Sequence, residues 1–415
     1  MSTEPGPALS TDPLSFGQRM QLLRTRRGMS RPLLAGLVGR SPSWVKQVEA
    51  GKLHTPRLPM ILRIAEALRV RDLSELVGEH PTHTALFIGP GHQRLGAVAD
   101  ALNTFPVEGG EPPSKAHLRA RLARSWSARH SSSHHREVIG RMLPGLIHDA
   151  QLLVRHTETG ADRRSAQALL AETYQLAQFF LAYQPDSALV WRVSERGMVA
   201  AQESEDPHAI GVAAWLMAQA HRDTGPSHYE AADRLTRDAV RFLEPRLSDA
   251  SNDVRAIAGA LSFETGYTAA RRGDTGSAWR HWDLARQVAD RLPADYFHPI
   301  TSFSQAIMGA HAVTIAVELH AGGEAVRQAT RASGEAIPSK PRRARHRIEE
   351  ARGYQLDGQP EAALATLERA HEAAPETIRW NGFARRIVLE EAEAKSPSRR
   401  ERAATLAVKI GLLTP

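Results

Sequence analysis

The sequence predicts an all-α protein: a small five-helix module followed by a long array of helix pairs. Three observations predict it. Apolar residues recur at three- and four-residue spacings along nearly the whole chain. Strand signals are almost absent from about Ala116 onward. Glycine and proline break the apolar segments at intervals that return every 34–45 residues, the signature of stacked helix pairs. With 415 residues there is enough chain for two or three domains and a sizeable core. The chain has no cysteine, which excludes a disulfide scaffold, a cysteine zinc site and a cysteine nucleophile. No run approaches 18 apolar residues, and Met1 to Pro13 lacks the basic flank and apolar stretch of a secretion signal. A soluble cytoplasmic protein is expected, with no membrane association.

The module begins after a polar tail, residues 1–13. Phe16 to Arg27 reads as the first helix, with Met20 and Leu23 inward and Gly28 as its stop. Ser30 can cap a second helix, Arg31 to about Val38, in which Pro32 sits in the first turn, where a missing N–H is harmless. Leu34, Ala35 and Val38 face inward. Gly39 supplies a tight turn, and Ser41 caps a third helix, Pro42 to Ala50, with Val45 and Val48 inward and Gly51 at its end. A fourth helix is expected over Leu58 to Leu68 and a fifth over Leu73 to Val77.

Charge separates this module from the rest. The chain carries 53 Lys plus Arg against 46 Asp plus Glu, a formal +7. Residues 14–78 hold 12 bases and four acids, a net +8, whereas residues 79–415 hold 41 bases and 40 acids. A compact basic module on a near-neutral body points to a polyanion partner for the module alone. Only six of the 53 bases are Lys, so the other 47 are Arg, a bias that fits a GC-rich genome.

Two helices joined by a short glycine turn, the first carrying a small Ala35, form a helix-turn-helix pattern. Leu23, Arg24, Arg27, Gly28, Ser30, Ala35, Gly39, Ser41, Val45, Glu49, Gly51, Lys52, Pro56, Leu62, Ala65 and Leu68 hold the register of the phage-repressor-like, or XRE, helix-turn-helix domain. The resemblance, carried by residues 19–70, covers nearly the whole of the module 14–78. The resemblance implies that the third helix enters the major groove of DNA and the second crosses the backbone. On matching positions it implies base contacts from Pro42, Ser43, Lys46 and Gln47. Gln47 suits adenine, Lys46 suits guanine, and Pro42 can only pack on a thymine methyl. It implies phosphate contacts from Arg31, Ser41, Trp44, Lys52, Thr55 and Arg57. Arg31 stands where the family usually has Gln, and Trp44 fills a position that is usually small; packing on the second helix is its alternative role. A two-fold operator, and therefore a homodimer on the nucleoid, is implied.

Residues 79–115 read as a connector with a helix around Gly96 to Leu102. Its GPGHQRLG string lacks the Lys-Ser/Thr of a phosphate loop and the strand of a dinucleotide fold. His130, His134 and His135 crowd HSSSHH, which reads as a solvated turn rather than a metal site, since no acidic fourth ligand lies nearby.

Residues 116–415 contain two units that resemble the tetratricopeptide repeat: Gly266, Gly273, Ala278, Trp282 and Ala285, then Tyr354, Gly358, Ala363, Leu367, Ala370 and Pro375. Small residues let helices approach, and the larger ones fill the groove between them. Weaker units surround Tyr174 and Gly225. Five to seven pairs in a right-handed solenoid are expected, with Trp191, Trp279 and Trp282 in the inter-helix core and a long helix over Ile300 to Leu319. The combination resembles actinobacterial regulators, supported by strings such as RMLPGLIHDAQLLVR. Its arrangement also resembles the peptide-sensing regulators of Gram-positive bacteria. By register, the concave face carries Glu172, Gln175, Trp215, Gln219, Arg222, Phe263, Tyr267, Arg352 and Gln355, with Ile348 beside them and His311 on the long helix. Arg222 and Arg352 suit a peptide carboxylate or an acidic metabolite, and Gln or Tyr suits amides. No nucleophile elbow, metal-binding helix motif or phosphate loop is present, so the sequence gives no sign of an enzyme and asks for no cofactor. The resemblances imply a ligand-responsive transcriptional regulator; the alternative is a scaffold whose body binds a protein partner while the basic module localises it to DNA.

Overall fold

The computed structural model describes residues 14–53, 55–56, 58–70, 74–77, 91–107, 110–332 and 334–413. The described residues are helical and form two compact units, 1–87 and 88–415.

In the first unit the helices are α1 (Phe16–Arg26), α2 (Arg31–Leu37), α3 (Pro42–Glu49), α4 (Leu58–Ala67) and α5 (Ser74–Val77). Their starts are set by side-chain caps. The Ser15 hydroxyl accepts from the Gln18 N–H while the Gln18 amide oxygen accepts from the Ser15 N–H, a reciprocal capping box. Ser30 and Ser41 accept from the N–H groups of Leu33 and Trp44. Gly28, Gly39 and Gly51 end α1, α2 and α3 in the left-handed region, where a side chain would be strained. Met20, Leu34, Val38, Val45, Ile64, Leu68 and Leu76 fill one core. Helix α1 crosses the end of α3 so closely that a Cβ on Gly17 would lie 2.1 Å from the Val48 carbonyl oxygen.

The second unit begins within the expected connector. Helix α6 (Leu95–Asn103) packs on the body through Val98 and Leu102. Residues 91–107 are therefore part of the second unit and not a free connector. His92 accepts a place in its core, its N–H donating to Gln184 at 2.7 Å.

Seven antiparallel pairs follow among the described residues. They are α7 (Lys115–Ser131) with α8 (His135–His156), α9 (Gly160–Leu181) with α10 (Ser187–Ser204), and α11 (Pro207–Thr224) with α12 (Tyr229–Leu243). Then come α13 (Asn252–Arg272) with α14 (Thr275–Ala289), α15 (Ile307–Glu318) with α16 (Gly322–Arg331), and α17 (Lys340–Leu356) with α18 (Pro360–Ala373). A short α19 (Pro375–Arg379) leads to α20 (Gly382–Ala392) and α21 (Pro397–Lys409). Each pair also touches the next, which is what makes a solenoid.

Small residues set the spacing. A Cβ on Gly266 of α13 would lie 2.9 Å from the Ala278 carbonyl oxygen of α14. Ala278 and Ala285 are fully buried there, and the Trp282 indole N–H donates to the Met308 carbonyl of the next pair at 3.0 Å. In the α17–α18 pair Ala363, Leu367 and Ala370 are fully buried, as the repeat requires.

Two expectations are corrected. The expected long helix over Ile300 to Leu319 forms only from Ile307 to Glu318. His298 is the reason: its ring Nδ1 accepts from the N–H groups of Ile300 and Thr301, holding them in an irregular segment. HSSSHH is a turn between α7 and α8, with His134 exposed, but it is not solvated throughout: His130 bonds to the Pro299 carbonyl at 2.6 Å and to the Ser339 hydroxyl at 2.9 Å, and His135 is buried. Residues far along the chain cover it because the solenoid curls back on itself. Glu376 of α19 accepts from the N–H groups of Arg136 and Glu137 at 2.6 and 3.2 Å, so it caps α8 from the far end of the body. No helix among the described residues is long and apolar enough to cross a membrane.

Replacing Gly266 with Ala is expected to lower the stability of the body by about 1–3 kcal/mol, the usual cost of overpacking, read by denaturant unfolding. A pH effect also follows. Burial holds the His135, His298 and His311 imidazoles well below the usual histidine range, and burial beside Arg129 pushes His130 down to about 4. The unfolded chain then binds more protons than the folded one below about pH 6.5, so stability falls as pH drops through that value toward 4. A thermal midpoint that stays constant between pH 7.5 and pH 5 would contradict this. Paired carboxylates such as Glu137, which the hydrogen bond from Arg94 holds at about 2, lose their contribution only at lower pH.

Candidate nucleic-acid interface

Helix α3 presents two faces. Val45 and Val48 are buried against the first unit's core, while Pro42, Ser43, Lys46 and Gln47 are exposed on one side. This separation follows from the 3.6-residue period. Ser41 and Thr55 are exposed at the two ends of the segment, with Lys52 between, and Arg57 lies outside the described residues. The Ser41 oxygen already accepts the Trp44 N–H and keeps its own O–H free to donate. Trp44 is half-buried, with the Arg40 guanidinium 5.6 Å from its ring centre.

The orientation of α3 is fixed by one carboxylate. Glu49, at its last turn, is buried, and its side chain is 1 % exposed. It accepts from Arg24 Nε at 2.6 Å and Arg24 Nη2 at 3.2 Å, and from Arg31 Nε at 2.7 Å. Arg24 also donates to the Met29 carbonyl at 2.7 Å. One acid thus joins the end of α1, the turn after it, the start of α2 and the end of α3. Arg31, expected to meet phosphate, reaches Glu49 with its Nε and is partly exposed, so its outer nitrogens still face solvent beside α2.

In the body the concave-face residues fall into separate groups. Glu172 and Gln175 line a pocket of about 310 Å³ with Arg119, Arg164, Asp206 and His208. Burial raises the Glu172 carboxyl above its ordinary range, against the Trp126 indole N–H that donates to it at 2.9 Å. Gln175 donates to the Ala209 carbonyl at 3.3 Å. Trp215 and Gln219 are half-buried, Trp215 beside Phe179.

A second group forms a continuous wall. Arg222 is ion-paired with Glu264 and lies 4.0 Å over the Tyr267 ring. Phe263 stacks on His311 at 3.5 Å with the rings nearly parallel. Arg352 holds Glu318 at 2.8 Å and Glu349 at 2.7 Å, and lies 3.7 Å over the Phe383 ring. Arg271 holds the other oxygen of Glu318 at 3.2 Å. Gln355 sits further along, bonded to Glu390 and to Arg386. Arg222 and Arg352 therefore already hold internal carboxylates. Among the described residues no group of three or more His, Asp or Glu side chains is arranged to hold a metal.

A family model described as a helix-turn-helix domain matches residues 15–76. The N-terminal module is a helix-turn-helix domain. A search of curated protein sequences finds no match to the chain. Among solved structures the chain is similar to Bacillus thuringiensis PlcR, crystallised in complex with the peptide PapR7 and DNA. That match has 10% identity and a TM-score of 0.32, and covers 85% of this chain and 99% of the other. At this score the likeness places no residue of one chain on the other.

The caps, turns and exposed face of the helix-turn-helix domain are local and readable from spacing. The wall of the body holds residues that spacing does not mark. Arg342 and Arg345 read as members of a basic run, and Arg129 as one more basic residue near the histidines. Their inward placement depends on the curl of the solenoid. Glu49→Gln is expected to destabilise the helix-turn-helix domain by about 3 kcal/mol, because the buried Arg24 loses its counter-ion. Hydrogen exchange of peptides from α1 and α3 checks it: protection should fall there and stay unchanged in the body.

Proposed function

We propose that the protein is a sequence-specific DNA-binding transcriptional regulator, acting on the nucleoid in the cytoplasm, whose helical body senses a small signal. The observation that carries this reading is the α3 face. Ser43, Lys46 and Gln47 stand exposed on one side of a helix whose other side is buried and whose last turn is clamped by Glu49. A rigid helix with free donors on one face is what base reading in the major groove needs. Ser41, Lys52 and Thr55 flank that face where phosphates would lie, with Arg31, Trp44 and Arg57 as further backbone contacts. The module's net charge of +8 supplies the electrostatic term.

The body serves as the receiver. It is a solenoid of helix pairs whose inner wall is lined by aromatic rings and by charged groups, which suits a peptide or an acidic metabolite. In this reading Tyr267, Phe263, His311 and Gln219 contact the signal, and Arg222 and Arg352 exchange internal for external carboxylates. The active form on a two-fold operator is a homodimer. The body's near-neutral charge supports this division, because it adds little attraction for DNA.

Footprinting on the DNA upstream of the protein's own gene, at about 150 mM salt, tests the reader. A discrete protected site is expected. Lys46→Ala with Gln47→Ala should erase it, at a cost of about 1–3 kcal/mol per lost base contact. Lys52→Ala should weaken all sequences alike and lower the salt slope by about one. A double variant that keeps the footprint would sink base reading by α3.

A further inference from the structure

Several buried or half-buried arginines in the second unit neutralise their charge on a carboxylate. Arg222 does so on Glu264, Arg271 on Glu318, Arg345 on Glu349, and Arg352 on both Glu318 and Glu349. Arg129 and Arg342 do not, and neither does Arg136, which instead donates to the carbonyls of Phe179 and Phe180. Arg129 is 9 % exposed; its contacts are the His130 ring nitrogen at 3.3 Å and the faces of Phe179 and Trp126, and its Nε has no partner. Arg342 donates to His311 Nε2 at 3.0 Å, and its Nε too has no partner. Both histidines are held neutral by burial. Two guanidinium groups therefore rest on neutral acceptors, with no carboxylate bonded to either among the described residues.

The helices that carry them pack against each other, α7 on α17. Burial, then the repulsion of Arg136 and Arg342, pushes Arg129 down to about 9. Burial, then the repulsion of Arg345, pushes Arg342 down to about 10. The link is built: His130, which contacts Arg129, bonds to Ser339, the residue before α17, and Arg342 lies in the first turn of α17. That turn has no acid. The helix opens Lys-Pro-Arg-Arg-Ala-Arg-His-Arg, setting cations at the positive end of its dipole, where they are least favoured. Near this helix start Tyr183 is 44 % exposed, adopts a left-handed backbone, and has the Arg345 guanidinium 5.9 Å from its ring. Arg342 is half-buried, so it is the more accessible of the two.

We infer that Arg129 and Arg342, brought together where the first and sixth helix pairs meet, form a binding site for a compact oxyanion, the carboxylate or phosphate of a small acidic ligand. Planar donors with no bonded carboxylate are what a bidentate oxyanion would complete. Binding there would bridge α7 to α17 and so tighten the curl of the body. The inference rests on the sensing role proposed above and revises one part of it: the signal carries an oxyanion, and these two arginines receive it in place of Arg222 and Arg352, which already hold internal carboxylates.

The test is thermal unfolding of the full-length protein titrated with succinate or inorganic phosphate, against sodium chloride at equal ionic strength. A saturable rise of several degrees is expected with at least one oxyanion, and the one that saturates at lower concentration identifies carboxylate or phosphate. Arg129→Gln and Arg342→Gln should each weaken half-saturation at least tenfold, while the exposed Arg141→Gln should not. Arg129→Gln without anion should unfold no lower than the parent, because it removes a buried charge that has no bonded counter-ion. Arg342→Lys, which keeps the charge and loses the fork, should retain saturation with weaker binding. No saturable response beyond chloride, or a response kept in the double Gln variant, overturns the site. Loss of stability in the Gln variants with the anion response intact overturns it also. Footprinting separates the two readings: oxyanion binding that leaves the footprint and its affinity unchanged supports the site and overturns the sensing role.

Discussion

A guanidinium withdrawn from water needs a carboxylate, and in this arginine-rich chain that requirement shapes both units. A surface ion pair contributes about 0–1 kcal/mol, whereas removing one partner of a buried pair costs about 3–5 kcal/mol. The many exposed pairs, such as Arg241 with Asp238, therefore decide little. Glu49, Glu318 and Glu376 decide a great deal, because each is buried and each joins segments that the chain keeps apart. Glu49 joins three helices of the reader. Glu318 joins α13 to α17 through Arg271 and Arg352. Glu376 ties the last third of the body to the start of α8.

This constraint connects architecture to function in each unit. In the reader, the clamp at Glu49 leaves α3 no freedom to tilt, so its exposed donors keep one geometry. Gly17 adds a steric stop at the same place, with backbone against backbone. In the body, helix pairs alone would give an open curl. The contacts of Glu376, His130 and Ser339 draw the two ends of that curl together and turn a concave face into a walled interior. Groups that spacing places on one face of successive helices are there divided into a pocket around Glu172 and a wall around Tyr267.

The helix-turn-helix domain was largely legible because its signals are local. Ser30 and Ser41 cap the helices they precede, Gly28, Gly39 and Gly51 take the left-handed turns, and helices α1 to α4 end within a residue or so of the expected positions. In the body, Gly266, Ala278 and Ala363 were legible as close-approach positions, because a repeat needs small residues at fixed offsets. The histidines and arginines were not. His130, His135 and His298 look like polar turn residues until the chain folds back over them. Arg222 and Arg352 look free until Glu264, Glu318 and Glu349 are placed beside them.

The amino-acid sequence by itself determined the all-α class, the five-helix helix-turn-helix module and its basic charge, the paired-helix periodicity, and the exposed face of α3. All of these depend on neighbours within a turn or two, where spacing is geometry. Only the tertiary structure decided the curl of the body, the capping of α8 by a residue 240 positions away, and which arginines hold an internal carboxylate. Those outcomes depend on burial and on charge pairing across the solenoid. Two residues meet there because intervening helices stack at a particular angle, which no local pattern encodes.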